Sequence, residues 1–257
     1  SVVYEGVTYK NERQKIQISV EKKNSVTKEA LEGVVFGLYA GEDIKNMQGK
    51  VVVEKDTLLE TKATDQEGGL TFESDLWHGH YYVKEEQHLP GYLPNDEIWE
   101  IDATYEDQNL PAIFLEKEVE NQPTESYFTK KDIVTGEPVE GAKLQILDEE
   151  GTVVREWITT QEEHLEYALP AGNYFLHEEL PPLEDGYVSA EDVSFEVKED
   201  GTITKVEMQD DFSKVDISKT DITGDTELVG VKLQVLNSKE EVMEQNIGLN
   251  ICQWEKN

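Results

Sequence analysis

A lysine recurs at the same point of three similar segments, and the amine of a lysine is a nucleophile when it is neutral. Lys22, Lys130 and Lys219 occupy the third position of VEKKN, FTKKD and ISKTD. A glycine follows each lysine eleven residues later, and alternating apolar residues precede each one. This spacing indicates a repeated structural unit.

A glutamate and a carbonyl-bearing side chain recur with the same regularity. The segments GHYYVKE and GNYFLHE end at Glu85 and Glu178, and a Gly-Tyr pair follows each of them. Asn121 lies nine residues before Lys130, and Asp210 lies nine residues before Lys219. Two units therefore contain a lysine, a glutamate and an amide or acid, whereas the unit of Lys219 lacks the other two landmarks.

These three residue types could form an amide bond if they meet inside a folded unit. Burial lowers the pKa of a lysine and raises that of a carboxylic acid, so a neutral amine and a protonated acid can coexist near neutral pH. The acid can polarise the acceptor carbonyl and carry protons from the amine to the leaving group. Asn121 would release ammonia and Asp210 would release water. Each reaction occurs once, so it would be a maturation step that needs no cofactor.

The elements that position these residues are predicted to be short strands. Residues 142–146 and 231–235 alternate between apolar and polar side chains after their glycines, which is typical of half-buried strands. Acidic glycine-containing turns separate such strands, and this pattern favours an all-β fold of tandem Ig-like antiparallel β-sandwiches. The first unit is longer than the second, and we expect a short helical turn over 42–46 and an extra strand or loop there.

The repeat predicts four segments. Residues 1–14 form an N-terminal extension, 15–123 a first sandwich, 124–212 a second sandwich, and 213–257 the start of a third repeat with a tail that has no recognisable pattern.

Over about residues 15–237 the sequence resembles the Cna B-type, or SpaA-like, domains of surface adhesins and pilins of Gram-positive bacteria. The stretches FTKKDIVTGEPVEGAKLQILDEEG, GNYFLHEELPPLEDGY and VEMQD carry the resemblance best. It implies a transthyretin-like (prealbumin-like) sandwich that forms a self-catalysed isopeptide bond. By motif position it assigns catalysis to the two glutamates and cross-links to Lys22 with Asn121 and Lys130 with Asp210. Lys219 would be an unpaired cross-link lysine.

Composition excludes several classes of function. The 56 acidic and 23 basic side chains leave a formal charge of -33, which disfavours nucleic acid and anionic lipid as partners. No apolar run is long enough to insert into a membrane. Cys252 is the single cysteine, so neither an intramolecular disulfide nor a cysteine-based zinc site is expected.

Metal binding and turnover catalysis have weaker support. His78, His80 and His88 surround a turn glycine, and the acidic stretches 65–68 and 221–225 faintly suggest calcium, but neither group completes a known motif. We expect ordinary turns and no metal. No nucleophile triad or phosphate loop indicates a conventional enzyme.

The resemblance implies an extracellular, cell-surface stalk segment. Its attachment to the cell wall or to a pilus would be covalent and would use regions outside this sequence. The alternative is an adhesin module that recognises a host extracellular matrix protein or a glycan.

Overall fold

The computed structural model describes residues 14–46, 48–104, 111–182, 186–211, 215–217, 219–224, 232–236, 242–247 and 252–254. Every regular element in these ranges is a β-strand, and no helix there is long and apolar enough to cross a bilayer. The all-β prediction is confirmed. Two compact units are formed: residues 1–126 with 165–172 and 196–204, and residues 127–164 with 173–195 and 205–257.

Strands β1 to β9 form what we call the first sandwich. Two of its sheets have the orders β6-β1-β9 and β5-β2-β7-β8, and β3 and β4 form a separate hairpin. The strands are β1 (Lys15–Asn24), β2 (Val35–Ala40), β3 (Ile44–Lys45), β4 (Val51–Val53), β5 (Leu58–Ala63), β6 (Gly69–Thr71), β7 (Gly79–Gln87), β8 (Ile98–Ala103) and β9 (Ala112–Asn121).

Strands β10 to β16 form the second sandwich. Its sheets have the orders β13-β10-β16 and β12-β11-β14-β15. The strands are β10 (Glu125–Asp132), β11 (Lys143–Leu147), β12 (Val153–Ile158), β13 (His164–Tyr167), β14 (Gly172–Leu180), β15 (Val193–Val197) and β16 (Thr204–Asp210).

The first and last strands of the first sandwich lie side by side. β1 and β9 pair in parallel over ten residues, from Lys15 opposite Ala112 to Asn24 opposite Asn121. The neighbouring pairs β1–β6, β2–β5, β2–β7 and β7–β8 are antiparallel, as the sequence predicted for the fold in general. The parallel pair places the C-terminal ends of both strands together, which is where Lys22 and Asn121 lie.

Period-2 alternation builds the cores. In β1, Ile16, Ile18 and Val20 are buried while the residues between them face outward or are half-buried. Successive side chains on a strand point to opposite faces, so one face of each sheet can be wholly apolar. The largest fully buried apolar side chains of the two sandwiches are Tyr81, Phe36, Ile18, Leu38, Phe128, Leu144, Ile146, Leu169, Leu176 and Met208.

The helical turn expected over 42–46 is wrong, whereas the extra strand is present. Residues 44–45 and 51–53 are the two strands of the β3–β4 hairpin. The side-chain oxygen of Asn46 accepts hydrogen bonds from the backbone N–H groups of Gln48 and Lys50. This local bond favours a turn over a helix, because it gives the backbone another partner.

Four short strands follow the second sandwich in the described residues. β17 (Val215–Ile217) pairs with β20 (Cys252–Trp254), and β18 (Lys232–Leu236) pairs with β19 (Val242–Ile247). A strand edge offers its backbone groups to any extended segment, whether or not the side chains alternate. The domain boundaries at 14/15, 123/124 and 212/213 stay a prediction.

Candidate functional site: two buried lysine–glutamate–acceptor clusters

Strand alternation decides which member of each adjacent charged pair faces the core. Lys22 continues the inward series of β1, and its relative exposure is 0%. Lys130 follows Phe128 on the inward face of β10, and Asp210 follows Met208 on that of β16. The lysines therefore occupy positions that a leucine or valine would otherwise fill, because the strand period continues through them.

The structure brings Lys22, Glu85 and Asn121 together in the first sandwich. Lys22 Nζ donates a hydrogen bond to Asn121 Oδ1 at 2.7 Å and lies 2.9 Å from Glu85 Oε2. Asn121 Nδ2 donates to Glu85 Oε1 at 3.0 Å. One carboxyl group thus touches both the amine and the amide nitrogen of the acceptor.

Burial dominates the electrostatics of this cluster. Loss of hydration lowers the pKa of Lys22, and the hydrogen bond and charge of Glu85 offset only part of that effect. The environment therefore makes a neutral amine more accessible than it is in water.

The second sandwich assembles Lys130, Glu178 and Asp210 in the same way. Lys130 Nζ lies 3.0 Å from Glu178 Oε1 and forms an ion pair with Asp210 Oδ1, and all three side chains are at most 1% exposed. The other carboxylate oxygen of Glu178, Oε2, accepts a hydrogen bond from the backbone N–H of Ala190 at 2.8 Å.

The surroundings of Asp210 in this second cluster favour its protonated form. Burial raises the pKa of Asp210 to about 6; Lys130 opposes the rise and Glu178 adds to it. A carboxyl group with this pKa is protonated in an appreciable fraction of molecules near neutral pH. This matters because a protonated acid is a better acyl acceptor than a carboxylate.

The neighbours of these residues point outward and form surface ion pairs. Lys23 contacts Glu118, Lys131 contacts Glu207, and Glu179 contacts Lys143. Glu86 accepts a hydrogen bond from the Tyr39 hydroxyl at 2.6 Å. Each outward neighbour is a matched control for the buried residue beside it.

One further polar contact lies beside each cluster, and the sequence analysis predicted neither of them. Asn24 Nδ2 donates to the Tyr92 hydroxyl at 3.2 Å, and the Tyr187 hydroxyl donates to Asp132 Oδ2 at 2.9 Å. Asn24 and Asp132 each lie two residues after the lysine, so the same alternation buries them. The Gly-Tyr landmark was visible in the sequence, but its partner was not.

The remaining candidates form no site within the described residues. Lys219 is exposed. His80 is about half exposed and lies 3.9 Å from Asp102, and no group of three or more metal-ligating side chains occurs in the described ranges. Asp65 and Asp221 instead accept backbone hydrogen bonds within their own turns.

Three solved structures are similar to parts of this chain. The Bacillus anthracis TIE protein is 24% identical, with a TM-score of 0.44 over 93% of this chain and 42% of its own. A streptococcal ancillary pilin is 22% identical, with a TM-score of 0.32 and coverages of 78% and 63%. The shaft pilin spaA from Lactobacillus rhamnosus GG is 18% identical, with a TM-score of 0.37 and coverages of 78% and 98%. The chain spans less than two thirds of the first two.

Comparison with curated proteins gave no match. A family description, the SpaA prealbumin-like fold domain, matches residues 16–116 and 125–211. The two matched segments account for more than half of the chain and contain the lysines and glutamates of both clusters. The resemblance inferred from the sequence is therefore confirmed: the chain belongs to the SpaA prealbumin-like fold domain family.

Proposed function

We propose that this chain is a structural stalk segment that cross-links its own strands by two isopeptide bonds. Lys22 would be joined to Asn121, and Lys130 to Asp210. The observation that carries the proposal is that a buried amine, a buried acid and a buried acceptor are in contact in both sandwiches. Removing charges from water is costly even when they are paired, so a reaction that removes the charges relieves that cost.

In the first sandwich Glu85 is placed to move the protons. Its Oε2 atom is 2.9 Å from Lys22 Nζ and its Oε1 atom is 3.0 Å from Asn121 Nδ2. Glu85 takes a proton from the ammonium, and the neutral amine attacks Cγ of Asn121. The carboxyl group then gives a proton to the departing nitrogen and takes the second proton that Nζ must lose. The Nζ–Cγ bond forms, the Cγ–Nδ2 bond breaks, ammonia leaves and Glu85 ends protonated.

In the second sandwich the leaving group is the hydroxyl of protonated Asp210, which departs as water after it gains a proton. Lys130 Nζ first gives a proton to Glu178, and the neutral amine then attacks Cγ of protonated Asp210. Glu178 gives a proton to the departing hydroxyl, which leaves as water, and takes the second proton that Nζ must lose. The buried position of Asp210 favours the protonated form that this step requires.

The mechanical role follows from where the bonds would lie. A bond between the first and last strands lets tension enter β1 and leave from the end of β9 without loading the strands between them. With a single cysteine in the chain, such bonds would replace disulfides as covalent staples. We place the segment at the cell surface of a Gram-positive bacterium, joined to the wall or pilus through other regions.

Intact-mass spectrometry tests the bonds directly. The folded wild-type chain should weigh less than its sequence by one ammonia and one water. Glu85→Ala should abolish only the loss of ammonia, and Glu178→Ala should abolish only the loss of water.

The matched variants Glu86→Ala and Glu179→Ala, which alter outward-facing residues, should leave both losses intact. A wild-type chain of full mass, or equal effects from the buried and outward glutamates, would refute the proposal. Peptide mapping should place the links at the named residues.

A second candidate function is recognition of a glycan by the outer face of the β5-β2-β7-β8 sheet. The rings of Tyr39 and Tyr82 stack there at 4.9 Å, and flat aromatic surfaces suit sugar rings. The adjacent groove of about 290 Å³ is lined by Gly41, Lys55, Asp56, Tyr82, Lys84, Ile98 and Glu100.

Glycan-array binding would decide this alternative. Binding that survives Glu85→Ala with Glu178→Ala but disappears in Tyr82→Ala would favour it, whereas an array without signal for the wild-type chain would exclude it for the glycans presented.

A further inference from the structure

The two clusters differ in what orients the glutamate. In the first, Asn121 Nδ2 donates a hydrogen bond to Glu85 Oε1. Asp210 has no N–H group, so the acceptor of the second cluster offers no amide N–H to Glu178. There the backbone N–H of Ala190 donates to Glu178 Oε2 at 2.8 Å.

The segment that carries Ala190 is anchored beside the cluster. The Tyr187 hydroxyl donates to Asp132 Oδ2 at 2.9 Å, and the backbone N–H of Val188 donates to the carbonyl oxygen of Asp211 at 3.0 Å. Asp132 lies two residues after the reacting lysine in sequence, and Asp211 directly follows the reacting aspartate. The Ala190 amide is therefore held in a defined position relative to the strands that carry the reaction.

We propose that the Ala190 backbone N–H is a positioning group that decides which oxygen of Glu178 carries the proton. This inference rests on the proposed cross-link in the second sandwich. The carbonyl oxygen of a carboxylic acid is a stronger acceptor for an N–H group than its hydroxyl oxygen, so the N–H bond favours the form with the proton on the other oxygen. With Oε2 held as an acceptor, the proton of Glu178 resides on Oε1, the oxygen that lies 3.0 Å from Lys130 Nζ.

The assignment has a chemical consequence for the bond-forming step. A proton on Oε1 faces the amine and the acceptor. A proton on Oε2 would face the backbone and would have to move to Oε1 before it could reach the departing oxygen. Nζ–Cγ bond formation and loss of water then require one proton to leave Nζ and one to reach the departing oxygen, with Glu178 returning to its starting state. The charge-assisted N–H bond also stabilises the carboxylate that exists between these transfers.

The test replaces the N–H without removing the side chain of any reacting residue. Ala190→Pro removes the donor, and Ala190→Gly retains it as the matched control. An ester analogue of Ala190, in which oxygen replaces the backbone N–H, removes the donor with minimal steric change. Each chain is made with a photocaged Lys130, uncaged in denaturant and diluted into refolding buffer. Mass spectrometry then follows the loss of water, and loss of ammonia in the first sandwich is the internal reference.

We expect the proline and ester chains to lose water about ten-fold or more slowly than wild type, the range expected for one hydrogen bond to a charged group, while the glycine chain reacts normally. Without the N–H bond the carboxylate is less stabilised, so the pH at which the reaction slows should also move upward. A merely structural effect would lower the rate equally at every pH.

The ester chain guards against a proline variant that does not fold, and near-ultraviolet circular dichroism reports packing of the second sandwich through Trp157, whose ring stacks on His164. Wild-type rates and an unshifted pH profile in a folded ester chain would overturn this inference alone. A wild-type chain that never loses water would overturn the proposed cross-link together with it.

Discussion

At the scale of single residues, the two clusters differ by one proton. In the first, an ammonium with a carboxylate has the same proton count as a neutral amine with a protonated acid, so the reactive state is reached by internal transfer. In the second, Asp210 is an additional acid, and its reactive form needs a proton that the fully ionised cluster lacks. The different acceptors therefore predict different responses to pH.

We predict that bond formation in the second sandwich slows as pH rises and that it does not in the first. The pKa of Asp210 is raised to about 6, so the competent form predominates below that pH. Above it, the competent fraction falls about ten-fold per pH unit by mass action. Loss of water and of ammonia, followed by mass spectrometry after refolding at pH 5 to 8, checks this.

Asp210→Asn is the control for this prediction. It supplies an amide acceptor, so the second sandwich should lose ammonia and its rate should become as insensitive to pH as that of the first. A wild-type second site with a flat profile would contradict the proton count.

Alternation in the sequence indicates which of two adjacent charged residues faces inward where it continues a neighbouring apolar series. Ile16, Ile18 and Val20 fix the inward phase of β1, so Lys22 and not Lys23 is buried. The contact between Asn24 and Tyr92 was not predicted, because the sequence shows the Gly-Tyr landmark but nothing that pairs it with residue 24. The Ala190 amide gave no signal, since a backbone donor leaves no trace in residue type.

At the scale of elements, a glycine lies against the strand that carries Lys22. Gly68 has φ of +78°, its carbonyl accepts the Lys22 N–H at 2.8 Å, and a Cβ there would lie 2.5 Å from the Lys22 carbonyl oxygen. The atom that this Cβ would contact belongs to the backbone of β1, so it cannot move away without shifting the strand.

Gly68→Ala should therefore destabilise the first sandwich by roughly 1 to 3 kcal/mol and slow its loss of ammonia, while loss of water is unchanged. Gly49→Ala is the matched control, because Gly49 has φ of +77° but no atom within 4 Å of its Cβ position. Guanidinium unfolding and intact mass provide the readouts. Equal effects at the two glycines would show that backbone conformation alone matters.

Element type was largely predictable and local pairing was not. Alternation and turns identified the strands of both sandwiches. The β3–β4 hairpin was misread as a helical turn because a two-residue strand is too short to show a period. The parallel direction of the β1–β9 pair depends on the path of the chain between them, which local pattern does not encode.

At the scale of the whole molecule, the two bonds should account for a large part of the stability. Lys22 and Asn121 are 99 residues apart in sequence, and closing a loop of that length restricts the unfolded chain by about 4 to 5 kcal/mol in the chain-entropy description. Glu85→Ala and Glu178→Ala should each lower the free energy of unfolding by at least about this amount.

Guanidinium midpoints of these chains, with Glu86→Ala and Glu179→Ala as controls, provide the measurement. A midpoint that is unchanged in Glu178→Ala would mean that the second bond contributes nothing to stability.

The parallel β1–β9 ladder also has a direction. Its ten pairs run from Lys15 and Ala112 to Asn24 and Asn121, and the covalent tie would lie at the second of these ends. Separation of the two strands would then begin at the Lys15 end, because the covalent bond holds the Asn24 end together. Backbone amides should consequently exchange with deuterium fastest near Lys15 and progressively more slowly toward Asn24, and this gradient should flatten when the tie is absent.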